Sequence, residues 1–325
     1  MTTHIQWCDD TWNVVDGCTR VSDGCTNCYI TGTTPFRVAG TTFDKPGVGG
    51  TTGVVLHPER LLQPLSWTEP RRIFANSMSD VFHDDVPDDL IARALAVMSL
   101  ARRHTFQLLT KRHARMRSLL TEGSFRAAVF AARDELLKLR QVQRLRTPVV
   151  VDKQWPLPNL HLGVSVEHQD AANLRIPALL ETPAVVRFLS LEPLIGPVDL
   201  RRIRTRREHL VLDVLAGDVL DTRHPREILG ACPACIDWIV VGGESGKDAR
   251  PLDPAWIESL RDQARRTRRA FFFKQYGVVT RRELGLRDRN GGDPDEWPID
   301  WPREFPGVEH GALRHPPTTT TGGIR

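Results

Sequence analysis

The sequence predicts an α/β protein built as a full or partial TIM-type β/α barrel with loop and helical insertions. Three observations predict it. Short apolar runs of strand character alternate with stretches of helical spacing between residues 70 and 280. Polar residues recur just past the end of each run, where α/β barrels build their sites. The chain has 325 residues, 40% hydrophobic and 26% charged. Those values exclude a disordered chain, a collagen-like repeat and a minimal disulfide scaffold.

The elements follow in order. A first strand is expected near Thr11 to Val15, then strands at Arg72 to Ala75, Thr105 to Leu109 and Leu160 to Val166. Val185 to Leu191, Trp238 to Val241 and Ala270 to Phe273 complete a set of about seven. Val86 to Arg103 sets Leu90, Ile91, Ala94, Leu95 and Met98 on one helical face, with Asp84, Asp85, Asp88 and Asp89 at the end where the helix dipole favours acids. Ala171 to Leu180 is a shorter helix, limited by Pro177. Asp253 then Pro254 reads as an N-cap and first helical residue, followed by the stripe Ile257, Leu260, Ala264. Strand, helix, strand, helix favours a barrel over a doubly wound open sheet.

Residues 1–285 form the barrel, with insertions at about 32–69, 117–158 and 200–236. The second holds a basic helix, Phe125 to Arg146; the third opens with the arginine run Arg201 to Arg207. Residues 286–325 are a C-terminal extension whose tail, Pro316 to Arg325, reads as disordered. No run approaches the roughly 20 apolar residues of a bilayer span. Met1 to Trp12 has neither the basic start nor the apolar core of a secretory signal, so a cytoplasmic protein with no membrane partner is expected. The formal charge of +4 is too small to establish a nucleic-acid partner. The basic residues are nonetheless 38 arginines against six lysines. Arginine forks suit phosphate and carboxylate, although a GC-rich coding genome explains the excess equally.

The strongest chemical signal is Gly17-Cys18 through Gly24-Cys25 to Cys28-Tyr29, a C-x6-C-x2-C cluster after the first strand. Three thiolates within eleven residues can face one centre, and three rather than four leave a position open on an iron–sulfur cluster. Structural zinc normally takes four ligands, and Cys8 is available as the fourth. Cys232-Pro-Ala-Cys235 reads as a structural insertion, half of a zinc knuckle that His209 or His224 can complete.

The motifs resemble a known family. Thr11-Trp12-Asn13, the GC-x6-C-x2-CY core, Asn76-Ser77-Met78-Ser79-Asp80, Leu109-Thr110-Lys111-Arg112, Gly163 to Glu167, Leu189 to Leu194, Val241 to Gly246 and Phe272-Phe273-Lys274-Gln275 are similar to the phage-associated three-cysteine-motif family. That family carries a domain of unknown function and is grouped with radical S-adenosylmethionine (SAM) proteins. The resemblance implies a barrel of the radical-SAM kind, with Cys18, Cys25 and Cys28 ligating a [4Fe–4S] cluster and SAM chelating the open iron. One electron would cleave SAM and yield a 5′-deoxyadenosyl radical, with the cofactor carrying the hard chemistry. The commonest radical-SAM spacing is C-x3-C-x2-C with an aromatic before the last cysteine. Here the first gap is six, Asn27 holds that place and Tyr29 follows Cys28.

Candidate SAM contacts are Asn76, Ser77, Ser79, Asp80, Ser165 and Glu192. Lys111, Glu192, Glu244 and Lys274 are the candidate catalytic groups; the plainer reading makes the lysines ion-pair partners of Glu192 or Glu244. His83, His104, His113, His161 and His168 lack metal-ligand spacing and read as surface or core residues. Arg201 to Arg207 is the better nucleic-acid candidate, and Arg265 to Arg269 a solvated helix end. The expected activity is base modification or rearrangement on a nucleotide or nucleic acid, phage DNA hypermodification included, with an electron donor and a separately encoded partner. A phage-encoded chain would work in the host cytoplasm. A binding module stapled by zinc at Cys8, Cys18, Cys25 and Cys28 is the alternative from another class. A metal-dependent barrel hydrolase using Asp80, Glu167, Glu192 and Glu244 is the third.

Overall fold

The computed structural model describes residues 3, 5–145, 149, 152–246 and 248–307. Seven parallel strands line up in chain order: β1 (Asp10–Trp12), β2 (Arg72–Ala75), β3 (Thr105–Thr110), β4 (Leu160–Ser165), β5 (Val186–Leu191), β6 (Trp238–Gly242) and β7 (Ala270–Gln275). The sheet curls into a partial barrel, with β1 and β7 as its edges. Strand order equal to chain order requires a crossover between every pair. Helix α1 (Asp88–Leu100) supplies one; α2 (His113–Thr121) and α3 (Gly123–Leu136) share the next. Helix α4 (Gln169–Glu181) links β4 to β5, and α5 (Pro254–Thr267) links β6 to β7.

Alternation along the strands sorts two cores. Ile73, Leu108, Leu162, Leu189, Val241 and Phe273 face outward into the helix layer. Phe74, Phe188, Trp238, Val240 and Phe272 gather with Trp7 and Cys8 in a second cluster on the concave side. Trp7 centres this plug, its ring 4.6 Å from Phe74, 6.0 Å from Phe188 and 5.9 Å from Trp238. Gly163 makes room for it, since a Cβ there would meet the Phe188 ring at 2.5 Å. The plug lies toward the strands' N-terminal end, leaving the other end to polar loops.

The described part of the extension packs on the barrel. Arg303 bridges Phe272 of β7 in antiparallel fashion, and the Trp238 indole donates to Glu304 O at 2.9 Å. Phe305 lies 5.6 Å from Trp238 and 5.3 Å from Phe272, with Arg72 over its ring at 4.0 Å. Trp301 is buried beside Phe273 and donates to the Tyr276 hydroxyl at 2.6 Å. The segment thus covers the open edge at β7 and reaches β2.

Helix α4 takes in the expected Ala171 to Leu180, with Pro177 inside it. Burial of Ala172, Ile176 and Leu179, plus the anchor of Arg175 on Ser165 O, outweighs the roughly 3 kcal/mol an interior proline costs. The basic helix expected over Phe125 to Arg146 ends at Leu136, where its buried face ends, and a short turn Arg140–Gln143 follows. Arg146 and the tail Pro316 to Arg325 lie outside the described residues. The third insertion is an antiparallel sheet of Ile203–Arg204, Leu210–Asp213, Asp218–Asp221 and His224–Ala231. It fills the crossover place between β5 and β6. No helix among the described residues is long and apolar enough to cross a membrane.

Trp301→Ala removes a fully buried ring and its hydrogen bond, so urea unfolding should show a loss of about 3–5 kcal/mol.

Candidate functional site

The cysteine loop follows β1 and hangs over the C-terminal end of the sheet. Its departure from the strand is fixed by Asn76, which adopts φ 59° at the end of β2. Asn76 Oδ1 accepts from the amides of Val14 at 3.1 Å and Val15 at 3.3 Å. Gly17 takes φ 91° and packs on Gly53 O so tightly that a Cβ would fall 1.9 Å from it. Gly17 N donates to Met78 O, and the Tyr29 hydroxyl donates to Ser77 O. Asn13 Oδ1 accepts from Ser77 Oγ and Met78 N, both at 3.2 Å. The Asn76–Asp80 segment therefore braces the loop.

Two buried carboxylates hold the loop from the far side. Glu167, just after β4, is fully buried; it accepts from Lys111 Nζ, from Arg175 Nη1 at 2.7 Å and from Ser22 Oγ at 2.8 Å. Ser22 Oγ in turn lies 3.8 Å from Cys25 Sγ. Burial alone would raise the Glu167 pKa, but the two cations outweigh it and hold it at about 2. Gly24 presses on this carboxylate, where a Cβ would meet Glu167 Cγ at 2.2 Å. Glu244, after β6, accepts from Asn27 Nδ2 at 3.0 Å and from Arg250 Nη2 at 2.7 Å. Arg250 also reaches Asp23 O at 3.0 Å.

A third tie reaches a thiol. Arg112 Nη1 sits 3.7 Å from Cys18 Sγ and 3.3 Å from Asp80 Oδ2, while its Nη2 donates to Thr19 O at 3.2 Å. Asp80 is spoken for on all sides, accepting also from Thr110 Oγ1 at 2.8 Å and Lys111 N at 3.0 Å. Burial pushes the Cys18 thiol up to about 12, and raises Cys28 as well. Cys28 N donates to Cys25 O at 3.3 Å, and Cys18 opens the same loop. Cys8 packs with Trp7 and Phe74 in the aromatic cluster, its Sγ is 3.6 Å from Ile5 O, and burial lifts it to about 12. Tyr29 keeps 46% of its surface open, yet dense surroundings push its hydroxyl pKa up.

Of the sequence candidates, Lys274 pairs with Glu192 at 2.8 Å, and Lys111 pairs with Glu167 rather than with Glu192 or Glu244. Ser165 is buried in the wall, its carbonyl taken by Arg175 at 2.7 Å, while Ser79 Oγ is buried without a partner. Each acidic candidate at a strand end has its own cation, so these carboxylates are not pooled. Among the described residues no three His, Cys, Asp or Glu side chains are drawn together tightly enough for one ion. Thiolates on a cubane hold different irons and stand further apart than ligands of a single ion. Cys232 and Cys235 lie in the insertion, where Cys232 Sγ is 3.4 Å from Asp218 O. Sequence reasoning gives no role to Ser22, Asn27, Arg175 or Arg250; nothing in spacing tells that they meet the strand-end carboxylates.

Glu167→Gln leaves Lys111 and Arg175 facing a neutral amide and should destabilise the protein by roughly 3–5 kcal/mol at neutral pH. Because the folded pKa is depressed, this stability is present above about 4.5 and lost as pH falls toward about 2. Urea midpoints against pH should fall through that window in the wild type and stay flatter in the variant.

A family model described as Protein of unknown function (DUF5131) matches residues 2–298. No curated protein and no solved structure matches the chain.

Proposed function

The chain belongs to this family of unknown function, and within it we propose a cytoplasmic iron–sulfur enzyme of the radical-SAM type, acting on a nucleobase or nucleotide. A modified base in phage DNA is the substrate the motif resemblance favours. The observation that carries the reading is the three-thiol loop, latched by Glu167 and Glu244 over the mouth of a partial barrel.

The donor set suits a cluster with one open iron. Cys18, Cys25 and Cys28 would hold three irons, while Cys8 is occupied in the aromatic plug. A fourth thiol is what closed structural zinc would ask for. When bound, the cluster and SAM supply one electron and a carbon-centred radical that abstracts a hydrogen atom. The chain's own residues do the rest. Arg112, 3.7 Å from Cys18 Sγ, would balance the thiolate that cluster binding requires there, as cations and N–H donors around cluster sulfurs do. Tyr29 and the Glu192–Lys274 pair line the mouth, where Lys274 can meet a phosphate or carry a proton. The aromatic plug closes the opposite end and keeps water out. The four ion-paired carboxylates give the hydrolase reading no pooled metal site to use.

Anaerobic purification with iron, sulfide and zinc analysis, then reduction with SAM present, tests the reading. About four irons per chain and release of 5′-deoxyadenosine are expected. Both should vanish in Cys25→Ala and persist in Cys8→Ala. Stoichiometric zinc, with no iron and no SAM cleavage, would overturn it in favour of a zinc-stapled module.

A further inference from the structure

Most charges around the barrel mouth are paired; those on one edge of the inserted sheet are not. Ile203–Arg204 is an edge strand of that sheet, and a hairpin turn joins it to Leu210–Asp213. The turn is braced by Thr205, whose Oγ1 accepts from Arg207 N at 3.0 Å and donates to Leu210 O at 3.1 Å. Arg202, Arg204, Arg206 and Arg207 are exposed on this rigid frame and make no ion pair among the described residues. Their neighbour Arg201, in contrast, is held by Asp213 at 3.2 Å.

Helix α5 packs against the start of the insertion. Gln263 of that helix accepts from Leu200 N at 2.8 Å and donates to Val198 O at 3.1 Å. Arg265 and Arg266 follow within one turn, exposed and without an ion pair among the described residues. The arginine strand itself packs on α4, where Arg204 N donates to Asn173 Oδ1 at 2.9 Å, so its backbone is fixed while its side chain stays exposed. Unpaired like charges repel and lower stability, so a polyanion that separates them is the natural counterpart.

We propose that the arginine edge of the inserted sheet binds the sugar–phosphate backbone of a nucleic acid. Arginine forks match phosphate oxygens and keep their charge at any physiological pH. An anionic membrane fits less well, because the insertion's exposed apolar side chains, Ile228 and Leu229, lie on the opposite edge strand. The surface deepens the nucleic-acid reading of the barrel but does not depend on its iron chemistry.

Binding of a short fluorescent DNA duplex, its single strands and the equivalent RNA, followed across salt concentrations, tests this. Arg204→Gln, Arg206→Gln and Arg207→Gln combined should lower the salt slope by about 0.9 for each arginine that meets a duplex phosphate. Lysine at the same three positions should keep the slope, and thermal midpoints should match wild type because no partner is lost. Removing equal charge elsewhere, through Arg126→Gln, Arg140→Gln and Arg144→Gln, should leave binding unchanged. Equal losses from both triple variants, no binding to any nucleic acid, or binding only to phosphatidylserine vesicles would overturn the proposal. None of these readouts uses iron or SAM, so failure of the enzymatic reading leaves the result interpretable.

Discussion

The buried carboxylate of Glu167 is the constraint on which the candidate site depends. It lies at the end of β4, takes cations from β3 and α4, and spends its remaining capacity on Ser22 of the cysteine loop. A charge so deep is tolerable only with its partners in place. Sheet, helix layer and loop are thus tied to one another: moving the loop uncovers the carboxylate, and moving α4 strands Arg175. Glu244 repeats the arrangement from β6 through Asn27 and Arg250. The loop is held from two strands, as a site needs if thiols are to keep a fixed geometry.

The barrel divides its labour along its axis. Toward the N-terminal ends of the strands, Trp7 and the surrounding rings fill the interior, and Phe305 seals them from outside. At the C-terminal ends the concave wall turns polar, and the loops carry paired charges. An apolar floor beneath an ion-paired rim lowers the local dielectric and strengthens each interaction above it.

Much of this was legible in the sequence, and for definite reasons. Six of the seven strands lie where apolar runs predict them, because a sheet covered by helices outside and plugged inside demands apolar residues on both faces; the first, expected over Thr11 to Val15, is Asp10–Trp12, and Val15–Asp16 pairs instead with Val55–Leu56. Asp253 caps α5 as expected, accepting from Ala255 N at 2.9 Å. The helix expected over Ala171 to Leu180 is present with Pro177 inside it, three residues longer in all because packing on the sheet extends it at both ends. The antiparallel sheet between β5 and β6 went unread because three of its strands have only two to four residues and the eight-residue His224–Ala231 lacks a clear apolar alternation. The three cysteines were found by spacing, whereas Arg112, Asn27 and Arg250 acquire roles only from contacts across the fold. Lys111 and Lys274 stood out as rare lysines at strand ends, but only geometry assigns them to Glu167 and Glu192 respectively.

The proposed cluster site rests on Cys18, Cys25 and Cys28 carried by one braced loop, with Arg112 beside Cys18 and Tyr29 next to Cys28. The most direct test is electron paramagnetic resonance of the anaerobically reconstituted, reduced protein, recorded with and without SAM. The account predicts a cluster signal whose shape changes when SAM is added, as the open iron gains a ligand. A cluster signal indifferent to SAM, or none at all, would contradict it.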